Sequence, residues 1–227
     1  MGDEELKYQA AIFDMDGTLI NSLEDLADSV NDAMEHYGYP IHTLQEYRYF
    51  VGNGARKLIE RSLPKDKSND PDYVSEVLEY YNGCYEKRLT NKTLPYEGIP
   101  EMLEKLQSMN IPMGVCTNKQ QFAATEIANK LFPKDMFKSV IGDSKGMPRK
   151  PDPTKVLKIA EQFKVEPKYI AYFGDTSVDM ETAHNAGFLS VGVTWGFRPK
   201  SELIESGAEI LINYPSELWN YVEFEGN

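Results

Sequence analysis

The stretch AIFDMDGTLINS (residues 11–22) runs three apolar residues into two aspartates two positions apart, then Gly17-Thr18. Side chains of an extended chain repeat every two residues, so if the chain stays extended for two residues beyond the strand, Asp14 and Asp16 point the same way. Two unscreened carboxylates that close raise one of their pKa values sharply. A hard cation removes the conflict, and carboxylate, backbone carbonyl and water oxygens are the ligands Mg2+ takes. Further on, Thr117-Asn118 closes an apolar run, Lys150 sits in RKPDP, and Asp175 follows YIAYFG with Asp179 four residues later. Asp175 offers a third oxygen for the same ion. Other motifs do not fit. Counting from Asp14, the sixth position is Leu19 instead of an EF-hand glycine; no GxxxxGK[ST] occurs; Lys57 stands where VGNGARK would need a third glycine.

Gathering residues from such distant positions takes a scaffold. Residues 11–13, 111–117, 139–141, 169–174, 189–195 and 209–212 read as short apolar strands. Helix-period segments over 100–109, 120–131, 153–163, 178–186 and 201–206 separate them. Apolar strands alternating with helices imply an α/β fold, a Rossmann-like parallel sheet covered on both faces. Ligands of such sheets bind at the carboxyl ends of the strands, where Asp14, Thr117 and Asp175 would stand. The alternation breaks after the first strand. Residues 23–37 (Ser22 as N-cap, Gly38 past the end), 55–63 and 73–89 read as helices, and PKDKSNDPD (64–72) as a surface loop. The expected division is a core of residues 1–20 and 96–227 with a smaller helical domain, 21–95, inserted after the first strand. Residues 20–21 and 95–98 are its hinges.

Composition narrows the partners. The 227 residues carry a formal net charge of −12, which repels nucleic acid and anionic membranes. A small anionic substrate can bind only where local cations overcome that background. Cys84 and Cys116 have no metal-type spacing and read as reduced. The polar, acidic start MGDEELKYQ is no targeting segment, and Leu6 stands where a myristoylation motif begun at Met1-Gly2 needs Ser or Thr. No apolar run approaches the ~18 residues that span a bilayer. A soluble, cytoplasmic protein is expected. His36, His42 and His184 lie outside the motifs and take no role; Trp195 and Phe197 read as packing residues near the site mouth.

Taken in order, DMDGT, Thr117, Lys150 and GDTSVD with Asp175 and Asp179 resemble the four-motif signature of the haloacid-dehalogenase superfamily. The helical block resembles that family's C1 cap, and VGNGARKLIERSL and SVGVTWGFR resemble its phosphoglycolate phosphatases. The resemblance implies a Mg2+-dependent phosphatase acting on a small phosphorylated metabolite through an aspartyl-phosphate. Asp14 would be the nucleophile and Asp16 the general acid and base. The ion would be held by Asp14, the carbonyl of Asp16 and Asp175, with Asp179 anchoring Lys150 or a metal-bound water. Thr117, Lys150 and the backbone N–H groups of Gly17 and Asn118 would bind the phosphoryl group. Asn53, Gly54 and Arg56 would set substrate choice, Arg56 by gripping a carboxylate. The implied partner is a small phosphate ester, with no nucleic acid or membrane, and the state monomer or homodimer. The same motifs also serve phosphosugar mutases resembling β-phosphoglucomutase, and could persist in a non-catalytic regulator. A true dehalogenase would have no use for Asp16 or Asp175.

Overall fold

The computed structural model describes residues 7–226, so the reading of Met1-Gly2 and Leu6 lies outside the described residues. β1 (Ala10–Phe13) leads through a turn to the two-residue β2 (Ile20–Asn21). Five helices follow: α1 (Leu23–His36), α2 (Leu44–Phe50), α3 (Ala55–Ser62), α4 (Lys65–Ser68) and α5 (Pro71–Glu86), before the chain returns at β3 (Leu94–Pro95). Next come α6 (Ile99–Ser108), β4 (Met113–Gln120), α7 (Gln121–Leu131), β5 (Ser139–Asp143) and α8 (Thr154–Phe163). β6 (Ile170–Gly174), α9 (Ser177–Ala186), β7 (Leu189–Val193), α10 (Lys200–Glu205) and β8 (Ile210–Ile212) complete the alternation.

Six strands form one parallel sheet in the order β5-β4-β1-β6-β7-β8, the α/β architecture expected of the pattern. β1 lies at its centre because every one of its side chains can be buried. Ala11 and Phe13 face one core with Val115 and Phe173, while Ala10 and Ile12 face the other with Cys116 and Tyr172. That period-two partition is why the strand carries no polar residue. The chain runs outward from β1 first through β4 to β5, then through β6 to β8. The reversal opens a crevice at the carboxyl ends of β4, β1 and β6.

Between β2 and β3 the helices pack mainly on one another. α1 buries Leu26, Ala27, Val30, Ala33 and Met34 along one stripe, and α5 answers with Val74, Val77, Tyr81 and Tyr85. Several local expectations change. α2 stands where no helix was read, started by a capping box between Thr43 and Glu46. The segment 64–72 holds the short α4 in place of an unbroken loop, and α5 begins earlier, at Pro71, with Asp70 accepting from the N–H groups of Asp72 and Tyr73. Ser22 does occupy the N-cap of α1, but its hydroxyl makes no capping bond and donates instead to Asp16.

The two segments expected as hinges meet. Ile20 pairs with Pro95 and Asn21 with Leu94, antiparallel, so the inserted helices stand on a two-strand ribbon. Asp25 of α1, buried, steadies the return: its Oδ2 accepts from the N–H of Lys92 (2.9 Å), the N–H of Thr93 (2.8 Å) and the Thr93 hydroxyl (2.7 Å). Among the described residues no helix is long and apolar enough to cross a membrane.

Candidate active site

Asp14 ends β1, Asp175 ends β6, and Asp179 lies in the first turn of α9; oxygens from all three carboxylates come within 4.8 Å of one another. All three are buried. Lys150 reaches between two of them, its Nζ 2.8 Å from Asp14 Oδ1 and 2.7 Å from Asp179 Oδ1. Burial opposes the charge on Lys150, but Asp14 and Asp179 together override it and hold the ammonium well above its ordinary range. One ammonium does not balance three carboxylates. Burial, then Asp179, raises the pKa of Asp14 to about 7, and burial with Asp179 and Asp14 pushes Asp175 well above the usual carboxylate range. An all-oxygen donor set with surplus negative charge is what a hard divalent cation satisfies.

The hydrogen bonds separate the roles of these carboxylates. Asp179 has none of its oxygens to spare. Oδ1 takes Lys150 and the Tyr172 hydroxyl (3.3 Å); Oδ2 accepts from the N–H groups of Asp175 (3.2 Å) and Thr176 (3.1 Å) and the Thr176 hydroxyl (2.8 Å). It anchors the site from behind. Asp175 is oriented by the Thr18 hydroxyl on Oδ1 (3.1 Å) and the Phe197 N–H on Oδ2 (2.8 Å). Gly17, at φ +84°, is required by close approach, since a Cβ there would lie 2.3 Å from Asp175 Oδ2. Its N–H donates to the Ile20 carbonyl at 2.9 Å. The phosphoryl donor expected of Gly17 is therefore already committed to closing the turn.

In front of the acids lies a cavity of ≈ 50 Å³. Asp14, Asp16, Thr117 and Lys119 line it from the sheet edge; Val51, Gly54, Leu58, Tyr81 and Tyr85 line it from the inserted helices. Thr117 Oγ1 accepts from the Lys119 N–H (3.1 Å), which leaves its proton to donate. Asn118 works through its side chain as a clasp: the amide donates to the carbonyls of Gly52 and Lys150 (3.2 Å each) and accepts from the Lys150 N–H (2.9 Å). Asp16 Oδ1 meets the Ser22 hydroxyl at 2.5 Å and Lys119 Nζ at 3.1 Å.

Of the residues expected to select substrate, Gly54 reaches the cavity. The Asn53 side chain accepts from Arg61 (2.8 Å). Arg56 does not face the site. It donates to Ser75 Oγ (3.0 Å) and the Pro71 carbonyl (2.9 Å) and pairs with Glu60 at 3.4 Å. The cause is helical geometry: Ala55 and Leu58 hold the cavity face of α3, and the next position is turned ~100° away, toward α5.

Several contributors were not anticipated from sequence. Lys155, fully buried, caps the Thr117 carbonyl (2.9 Å) and Asn118 Oδ1 (3.3 Å). Arg48 of α2 donates to the carbonyls of Gly196 (2.8 Å) and Phe197 (3.3 Å), and Arg198 reciprocates to those of Tyr49 (3.2 Å) and Val51 (3.0 Å). These two arginines latch the helices onto the same loop that orients Asp175. Lys119 lies past the expected strand end at Thr117: β4 continues to Gln120 through an irregularity in its pairing with β5 between Cys116 and Gln120, and both Thr117 and Lys119 line the cavity.

The family model for haloacid dehalogenase-like hydrolases matches residues 11–193, a span that contains all four motifs. Phosphoglycolate phosphatase of Neisseria meningitidis serogroup A is 33% identical over 204 residues, covering 88% of this chain and 86% of that protein. The phosphoglycolate phosphatase of Chromobacterium violaceum is 27% identical over 217 residues, 95% of this chain and 96% of its own. Among solved structures, a predicted phosphoglycolate phosphatase from Haemophilus somnus superposes with a TM-score of 0.87 at 27% identity, covering 94% of this chain and 97% of that one. A β-phosphoglucomutase from Clostridium difficile, at 22% identity and TM-score 0.76 over 93% of each chain, shares the fold. From the motifs on the sheet edge to the matched span, this chain belongs to the haloacid dehalogenase-like hydrolase family.

Proposed function

We propose that the protein is a Mg2+-dependent phosphatase of small phosphate esters, phosphoglycolate foremost, with the inserted helices acting as a cap domain over the core. The observation that carries this reading is the buried acid cluster, where Asp14 is gripped on one oxygen by Lys150 beside a small cavity. Asp14, Asp175 and the Asp16 carbonyl would hold the ion, whose charge when bound offsets the carboxylates and the phosphoryl oxygens. Asp14 attacks phosphorus as the ester P–O bond breaks, and Asp16 gives its proton to the departing alkoxide. Asp16, now ionised, takes a proton from a water whose oxygen attacks the acyl phosphate. Inorganic phosphate leaves, and the Asp14 carboxylate and Asp16 acid are restored. Thr117 and the Asn118 N–H donate to phosphoryl oxygens, while Lys150, fixed by Asp179, keeps Asp14 aimed.

Size supports a small ester. With a buried water needing about 10–15 Å³ of such space, a cavity of ≈ 50 Å³ holds a handful of waters, which suits a small ester. Cap opening on the β2–β3 ribbon admits the ester, and closure excludes bulk water. The named relatives favour phosphoglycolate. The test is phosphate release from a panel of esters, with and without Mg2+, for wild type and Asp14→Asn. Release should need Mg2+ and fall by roughly three orders of magnitude or more in the variant. Persistent hydrolysis in Asp14→Asn overturns the mechanism; activity only with a sugar bisphosphate, and no free phosphate, makes the protein a mutase.

A further inference from the structure

We infer that Lys119 and Tyr85 form a subsite for a carboxylate carried on the alcohol side of the ester, and that this pair, in place of Arg56, selects the substrate. The inference rests on the phosphatase reading and deepens it. Its ground is an arrangement of two neighbouring strand ends. β1 projects Asp14 and Asp16, and β4 projects Thr117 and Lys119 into the same cavity. Asp14 marks where phosphorus sits. Asp16, the proton donor to the leaving oxygen, marks the alcohol side, and Lys119 Nζ is 3.1 Å from its carboxylate.

The donors left over fit an anion. An ammonium has three N–H groups, and Asp16 and Tyr85 engage two of those on Lys119. The Tyr85 oxygen accepts from Lys119 at 2.5 Å, so its own proton is free to donate. Burial pushes that phenol well above its ordinary range and keeps the proton in place. The same cavity takes apolar lining from Leu26, Leu58 and Phe197. An uncharged alcohol gains little there beyond contact. A carboxylate gains charge-assisted hydrogen bonds in a poorly solvated setting, where they are strongest. In phosphoglycolate the carboxylate is bonded to the same carbon that bears the ester oxygen, so it must lie next to Asp16. Lys119 stands where it can screen the two negative charges from each other. Lys119 comes from the core and Tyr85 from α5, so the subsite is complete only with the cap closed.

The experiment compares phosphoglycolate with ethyl phosphate, which has the same carbon count and no carboxylate, in steady-state assays with Mg2+. Wild type, Lys119→Gln and Tyr85→Phe are measured on both esters. Wild type should prefer phosphoglycolate. Lys119→Gln should lower the kcat/KM ratio of phosphoglycolate over ethyl phosphate by about tenfold or more and Tyr85→Phe by a few-fold, the loss in each appearing as a raised KM for phosphoglycolate. A preference that survives both variants overturns the subsite. So does a wild type that hydrolyses both esters alike, although the phosphatase reading then stands. An equal fall in kcat on both esters in Lys119→Gln, with KM unmoved, makes Lys119 a positioning residue for Asp16 and also overturns it. Hydrolysis of neither ester, nor of any other in the panel, by wild type removes the phosphatase reading itself.

Discussion

Lys150 stands against both Asp14 and Asp179, and methionine at that position would strand two buried carboxylates. Lys150→Met should destabilise the metal-free protein by about 3–5 kcal/mol, read by urea denaturation. Glycine is equally constrained at position 17. Gly17→Ala adds about 1–2 kcal/mol of left-handed strain and drives a methyl into Asp175, so phosphatase activity should collapse while circular dichroism keeps its helical signature. Arg56→Ala should leave KM for phosphoglycolate unchanged, because the guanidinium is spent on Ser75, Pro71 and Glu60. Burial raises the Cys116 thiol to about 11, so at pH 8 about one molecule in a thousand carries the reactive thiolate there. An alkylating reagent at pH 8 should therefore modify Cys116 only after denaturation, read by mass spectrometry. The aspartates were legible in sequence because two like charges ending an apolar strand demand an explanation. Arg56 misled because a single cation beside two glycines looks available, and nothing local shows which helix will claim it.

At the scale of elements, the parallel sheet could be read because buried strands are apolar throughout and their alternation with helices has few solutions. α2 could not. Tyr47 is its one fully buried residue, so no stripe marks it, and its signal was the Thr43–Glu46 capping box. Ser22 shows the reverse case: the position was right, but Asp16 outcompeted the helix end for its hydroxyl. Side chains that bridge elements were the least visible, since the partners of Arg48 and Arg198 are backbone carbonyls that sequence does not distinguish. Their mutual grip makes a prediction. Arg198→Met removes charge-assisted bonds worth about 1.5–3 kcal/mol each, so amide exchange around Tyr49–Val51 should quicken by about tenfold or more, and KM should rise as the inserted helices loosen over the cavity.

Over the whole molecule, the proposed Mg2+ site in the acid cluster predicts that stability responds to the ion. Mg2+ at a hundred times its dissociation constant should add about 2.7 kcal/mol, a rise in Tm of roughly 5–10 °C for a chain of this size. A chelator should reverse the gain, and Asp175→Asn should abolish it, by differential scanning calorimetry. The β2–β3 ribbon has a consequence of another kind. Departing and returning chain are hydrogen-bonded neighbours, so the core presents one narrow stalk on which a whole assembly of helices is mounted. A chimera bearing a foreign assembly on that stalk would keep Asp14, Asp16 and Asp175 in place while exchanging the far wall of the chamber in a single step. Diversification of what is hydrolysed can in this architecture proceed by transplanting lids, with the machinery beneath left untouched.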